Sequence, residues 1–279
     1  MEFEVEWARK LYGSRLKSLE ELFGVKKPII GMIHLPPLYP LSDYPLDKVI
    51  EFALSEAEKL VNAEFSAIMI ENFMDNPFPK ERVSDYVFSK LSIIVSEIKK
   101  QVPIPIGVNI LRNACLQALA LATVLNLSFI RCNVFEGVYV TDQGLIEGAA
   151  FELINLKRQL KSSVKILADV HVKHSRPLGD FTLREAATNA IKRGKADAII
   201  VSGKATGKPP TLEQLKQLKD INIRPILGSG LTVNNLSDFS TYISGAIVGT
   251  SIKINSDVYN PIDDNKAIAI SKAWKKVMI

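Results

Sequence analysis

The 279-residue sequence predicts a single (β/α)₈ barrel, and three observations carry that reading. Eight short apolar runs alternate with amphipathic stretches, in a length close to the roughly 250 residues typical of such a barrel. Links from a helical stretch into an apolar run are tight, whereas links that leave an apolar run are long and polar. Polar side chains recur where the apolar runs end, the rim on which barrel enzymes build their active sites. A doubly wound open sheet is the alternative for this alternation. No break in composition marks a second unit, so one barrel over residues 28–279 is the better reading, preceded by a helical extension over residues 1–27 that packs on it.

Taken in order, residues Trp7 to Phe23 carry Trp7, Leu11, Leu19, Leu22 and Phe23 at helical spacing, interrupted by Gly13. Acids and bases mix along this stretch, which argues against an interfacial membrane helix. The strand candidates are Ile29–His34, Ala67–Asn72, Ile106–Leu111, Phe129–Phe135, Val164–Lys173, Ala198–Ser202, Pro225–Gly228 and Ala246–Gly249. Between them fall helix candidates Asp47–Asn62, Val83–Gln101, Ala114–Leu125, Ile146–Leu160, Leu183–Arg193, Leu212–Leu218, Val233–Phe239 and Pro261–Val277. Thr182 with Glu185, and Thr211 with Gln214, have the spacing of capping boxes and mark two helix starts. The first strand-to-helix link, Leu35–Leu46, holds Pro36, Pro37, Pro40 and Pro45; it should be stiff and able to lie across the barrel mouth.

At 47% hydrophobic and 23% charged residues the chain can build a full core. The formal charge of +5 is mildly basic, without the Arg-rich, aromatic-interleaved runs that would indicate nucleic acid; anionic small molecules suit it better. Cys115 and Cys132 have neither redox nor zinc spacing and read as small core residues in a reducing, cytoplasmic setting. The acidic N-terminus is unlike a secretory signal, and no apolar run is long enough for a membrane span. Homo-oligomerisation stays open.

The chemistry concentrates on Val164–His174. Strand alternation puts Asp169, His171 and Lys173 on one face and Ala168, Val170 and Val172 on the other. A parallel strand between helices should be apolar on both faces, so three ionisable groups there are expensive unless they line a site. Other strand ends add His34, Glu71, Asn109, Arg131, Asn133 and Ser202. Any one of these fits an ordinary loop-capping role; their convergence on one end does not. The candidate catalytic set is Asp169, His171, Lys173, Glu71 and His34, with Asn109, Arg131, Asn133 and Ser202 orienting a substrate. Lys173 is a candidate general base or Schiff-base amine, although its placement beside Asp169 also fits a structural ion pair. Asp169 with Glu71 offers a possible divalent-cation site, ranked below both chemistries, and no cofactor is otherwise implied.

The last two strands end in Gly228-Ser229-Gly230 and Gly249-Thr250-Ser251. Barrels often hold phosphate with the loops after strands seven and eight, where glycine lets backbone N–H groups approach the anion. The expected ligand is therefore a small phosphorylated molecule.

Several segments carry a family resemblance in order from about Pro28 to Lys253: Gly31–Leu38, Gly107–Asn113, Phe129–Val134, Thr141–Gly144, Ala168–His174 and the two Gly-rich turns. The chain resembles the BtpA/SgcQ family. That resemblance implies a barrel akin to the ribulose-phosphate-binding barrels and no defined reaction. It also implies a link to photosystem I biogenesis, with peripheral membrane association, in one branch and to sugar utilisation in another. Two functions follow as expectations. One is an isomerase, lyase or hydrolase working by acid/base chemistry on a phosphorylated metabolite such as a sugar phosphate. The other is a non-catalytic assembly factor that uses the barrel as a binding surface.

Overall fold

A computed structural model describes residues 19–40 and 44–278. Residues Trp7 to Ser18 of the expected leading helix, and residues 41–43 of the proline-rich link, lie outside the described residues. Eight parallel strands close in the order β1 (Ile29–His34), β11 (Gly245–Val248), β10 (Ile226–Leu227), β9 (Ala198–Val201), β7 (Lys165–Val170), β4 (Phe129–Cys132), β3 (Ile106–Asn109) and β2 (Ala67–Glu71). The helices between them are α1 (Leu46–Asn62), α2 (Asp85–Gln101), α3 (Cys115–Val124), α4 (Ala150–Gln159), α5 (Leu183–Lys192), α6 (Leu212–Lys219), α7 (Leu236–Phe239) and α8 (Asp264–Met278). The expected barrel is present. Both capping boxes form: Thr182 and Thr211 accept from the Glu185 and Gln214 amides at 3.2 and 3.3 Å. Each box thereby satisfies donors that a helix start would leave free.

Strand alternation sorts the core into two layers. Ile29, Ile33, Ile68, Ile70, Ile130 and Ile166 face the helices. Ile30, Met32, Ala67, Met69, Phe129, Leu167 and Ile200 fill the barrel interior. Leu19 and Phe23, from the helical residues 19–23, join this inner cluster; the Phe23 ring meets Phe129 edge-on at 5.5 Å. Leu35 and Leu38 of the first link pack with the outer layer, and Asp75 Oδ1 accepts the Leu38 amide at 2.6 Å. The described part of that link therefore seats against the helices.

Two expectations need correction. The sequence reading starts a helix at Ile146, but Val138–Thr141 (β5) and Gly144–Glu147 (β6) form a hairpin. With Ser175–Pro177 (β8) they make a small antiparallel sheet beside the mouth, and the helix begins only at Ala150. Cys115 and Cys132 are both buried, but they are bonded to each other, with Cα atoms 5.4 Å apart. The outward face of β4 presents Cys132 to the first residue of α3, within ordinary disulfide reach.

Candidate functional site

The last inward residues of β1, β2, β3, β4 and β7 are His34, Glu71, Asn109, Arg131 and Asp169. They lie buried directly above the apolar interior. Parity dictates this: each is two residues beyond an inward apolar position or Gly107. Arg131 donates from Nε and Nη2 to Asp169 Oδ2 and Oδ1 at 2.9 and 3.0 Å, and Asn133 Nδ2 adds a third bond at 2.6 Å. Asn109 Nδ2 donates to Glu71 Oε2 at 2.5 Å, and His34 Nε2 lies 3.9 Å from Glu71 Oε1. Burial, reinforced by the charges of Lys253, Lys173 and Arg131, pushes the His34 imidazole well below its ordinary range, so it is neutral at pH 7.

Lys173 lies just beyond β7 and faces the same mouth. Arg112, which the sequence reading did not single out, donates from Nη2 to the Lys173 carbonyl and so holds the backbone there. Burial, then Arg131, lowers the Lys173 ammonium to about 8, while Asp169 and Glu71 pull the other way. No hydrogen bond or ion pair engages that ammonium among the described residues.

The Gly-rich turns close the opposite side. Gly230 has φ +76°, and a Cβ there would stand 2.1 Å from the Pro209 nitrogen; a Cβ on Gly249 would stand 2.9 Å from His34 Cε1. Both glycines thus permit close approach. The Ser229 hydroxyl donates to the Lys208 carbonyl at 2.7 Å, so it is tied to the neighbouring loop and not free for a ligand. Ser251 Oγ, by contrast, is a buried oxygen without a hydrogen-bond partner among the described residues, and His34 Nδ1 is a buried nitrogen likewise without one. Gly228, Ser229, Gly230, Gly249, Thr250 and Ser251 border a cavity of about 40 Å³. It adjoins a wider one of about 360 Å³, and the two share Glu71, Phe73, Arg131, Lys173 and Thr206. Over the wider one lie Arg112 and Tyr259, the latter's ring 6.0 Å from that of Phe73.

Two predicted site residues are placed elsewhere. The ladder of β7 ends at Val170, and His171 takes φ +53°, which ends the strand alternation. Its Nε2 lies 3.1 Å from the Phe181 carbonyl, and its ring borders a different cleft from that of Lys173. Ser202, just beyond β9, borders that same cleft, although its hydroxyl also lies against Gly228 of the mouth, where a Cβ would stand 2.3 Å from Oγ. Among the described residues no three His, Cys, Asp or Glu side chains gather as a metal site, and Asp169 and Glu71 are each engaged by hydrogen-bond donors.

These features define a closed (β/α)₈-barrel protein with a polar, small-molecule-sized mouth. A family model for the BtpA family matches residues 25–276, and the chain belongs to that family. It is 42% identical over 259 residues to the photosystem I biogenesis protein BtpA of Synechocystis, covering 91% of this chain and 90% of that one. It is 45% identical over 256 residues to an uncharacterized protein of Methanocaldococcus jannaschii, covering 90% and 97%. Among solved structures it resembles N-(5′-phosphoribosyl)anthranilate isomerase of Pyrococcus furiosus, with a TM-score of 0.55, 14% identity and 90% and 100% coverage. Thiamine phosphate pyrophosphorylase of the same organism gives 0.55, 10%, and 91% and 98%. At those identities the likeness concerns the fold. No helix among the described residues is long and apolar enough to cross a membrane.

Proposed function

We propose that the mouth is the active site of an enzyme that moves a proton on a small phosphorylated metabolite, best fitted by a sugar phosphate, within isomerase, lyase or hydrolase chemistry. The observation that carries this reading is the Lys173 ammonium: lowered to about 8, free of a carboxylate partner among the described residues, and bordering a cavity that Ser251, whose buried Oγ has no partner among those residues, also borders. A structural ion pair would instead pair that lysine closely. A group titrating near the operating pH is suited to proton transfer. Thr250, Ser251 and the Gly230 turn would hold the phosphate. Lys173, as free amine, would take a proton from the carbon beside a carbonyl, and the electron pair would move onto the carbonyl oxygen. Neutral His34 and Arg112 carry donors for that oxygen, while Arg131 fixes Asp169 and Asn109 fixes Glu71. The names of the phosphoribosyl and thiamine phosphate barrels above are consistent with phosphorylated ligands on this fold.

The test is wash-in of solvent deuterium at carbon, followed by NMR over a panel of aldose and ketose phosphates. Exchange should rise with pH through about 8, since only the deprotonated amine accepts a proton. Lys173→Met should remove about 10²–10⁴-fold of it with the fold intact. Exchange that ignores pH, or survives Lys173→Met, refutes the assignment. No exchange with any sugar phosphate would favour the assembly role named for the Synechocystis relative.

A further inference from the structure

Beside the mouth, between the small antiparallel sheet and the loop that follows β9, lies a cleft of about 910 Å³. His171, His174, Arg176, Lys204 and Lys208 border it, and among the described residues no carboxylate does. Side-chain solvation alone does not account for its inner wall. Ser202 is only 7% exposed, it borders the cleft, and its Oγ has no hydrogen-bond partner among the described residues. A buried hydroxyl left without a partner carries a desolvation penalty that a bound polar group would relieve. His174 borders both this cleft and the wider mouth cavity, so the two spaces meet along one side chain.

We infer that the cleft is a second anion site and that the substrate carries two anionic groups, one held at Thr250–Ser251 and the other by Arg176, Lys204 and Ser202. This inference rests on the reading of the mouth as the site of a phosphorylated metabolite and names its class as a bisphosphate or an equivalent dianionic molecule. It also gives His171 a place: on the wall of the second site, facing an anion.

Calorimetric titration of the full chain with five- and six-carbon ketose monophosphates and the matching bisphosphates tests it. Arg176→Ala/Lys204→Ala removes two exposed side chains that no hydrogen bond or ion pair holds among the described residues. Thr250→Ala/Ser251→Ala addresses the mouth, and circular dichroism checks each fold. A bisphosphate should bind the wild type at least tenfold more tightly than its monophosphate, and Arg176→Ala/Lys204→Ala should abolish that advantage while sparing the monophosphate. Equal affinities in the wild type, or an advantage that survives the double substitution, overturn the second site. Bisphosphate binding lost in Arg176→Ala/Lys204→Ala but retained in Thr250→Ala/Ser251→Ala overturns the mouth as phosphate holder and supports the cleft. No binding by either class overturns both.

Discussion

Asp169→Asn keeps the shape of the side chain and removes its charge, which isolates what that charge does. Asp169 accepts two bonds from Arg131 and one from Asn133, and the Arg131 and Asp169 side chains are 4% and 3% exposed. An asparagine offers one acceptor oxygen where the carboxylate has two, so at least one donor meets an NH₂ group, and the Arg131 charge is left buried and unpaired. Breaking a buried pair from one side costs about 3–5 kcal/mol. At about 2–4 °C per kcal/mol for large single domains, that is a fall in Tm of roughly ten degrees. Urea unfolding and calorimetry measure it. Arg131→Met/Asp169→Leu should recover much of the loss, because a paired burial replaced by apolar atoms leaves no orphan charge. The same substitution acts on Lys173. Asp169 favours its ammonium form, and removal also leaves Arg131 uncompensated, so the Lys173 titration should move below about 8. NMR of the lysine side chain follows it. A stability loss under about 1 kcal/mol, well short of the buried-pair range, or a Lys173 titration that moves upward, would refute the electrostatic account of the mouth.

Two further substitutions test the interior beneath the site. Gly107→Ala places a Cβ 2.1 Å from the fully buried Phe129 ring. Overpacking should cost about 1–3 kcal/mol in calorimetry, and an unchanged Tm would show that the ring has room to move. Phe23→Ala removes the ring that meets Phe129 at 5.5 Å and should cost about 3–5 kcal/mol in urea titrations. A negligible loss would mean that the leading segment contributes little to closing the barrel.

Where the ladder runs, the placement of the candidate residues was legible from sequence. His34, Glu71, Asn109, Arg131 and Asp169 follow from period-two alternation alone, because each shares a face with residues that must be interior. His171 did not follow: counting by twos extends the face of Asp169 past Val170, where the ladder stops and φ becomes positive. The hairpin was missed although its signal was present. Val138-Tyr139-Val140-Thr141 is a β-branched and aromatic run, and Gly144, after the two-residue turn Asp142-Gln143, takes φ +92°. Arg112, Thr206 and Tyr259 lie in connections where no periodicity acts, so nothing in their spacing aims them at the mouth. The cysteine pair needed the register of α3 against β4, which a spacing of 17 residues does not encode.

This division has a physical origin. Leu19, Phe23 and the inner apolar layer fill the barrel, leaving its strand ends as the open side. A charged group deeper in that interior would be desolvated without partners, so inward charge is tolerable only at the last ladder position, where Arg131 meets Asp169 and Asn109 meets Glu71. These reciprocal bonds fix the ring and leave it few free donors for a ligand. Among the described residues, the Lys173 ammonium and the Ser251 and Ser202 hydroxyls, which have no hydrogen-bond partner, stand just beyond the ladder, while His34 Nδ1 is an orphan within the ring itself. The proposed recognition therefore rests on the loops, and substitutions at Thr250 and Ser251 or at Arg176 and Lys204 would test the two proposed anion sites separately while leaving the ring beneath whole.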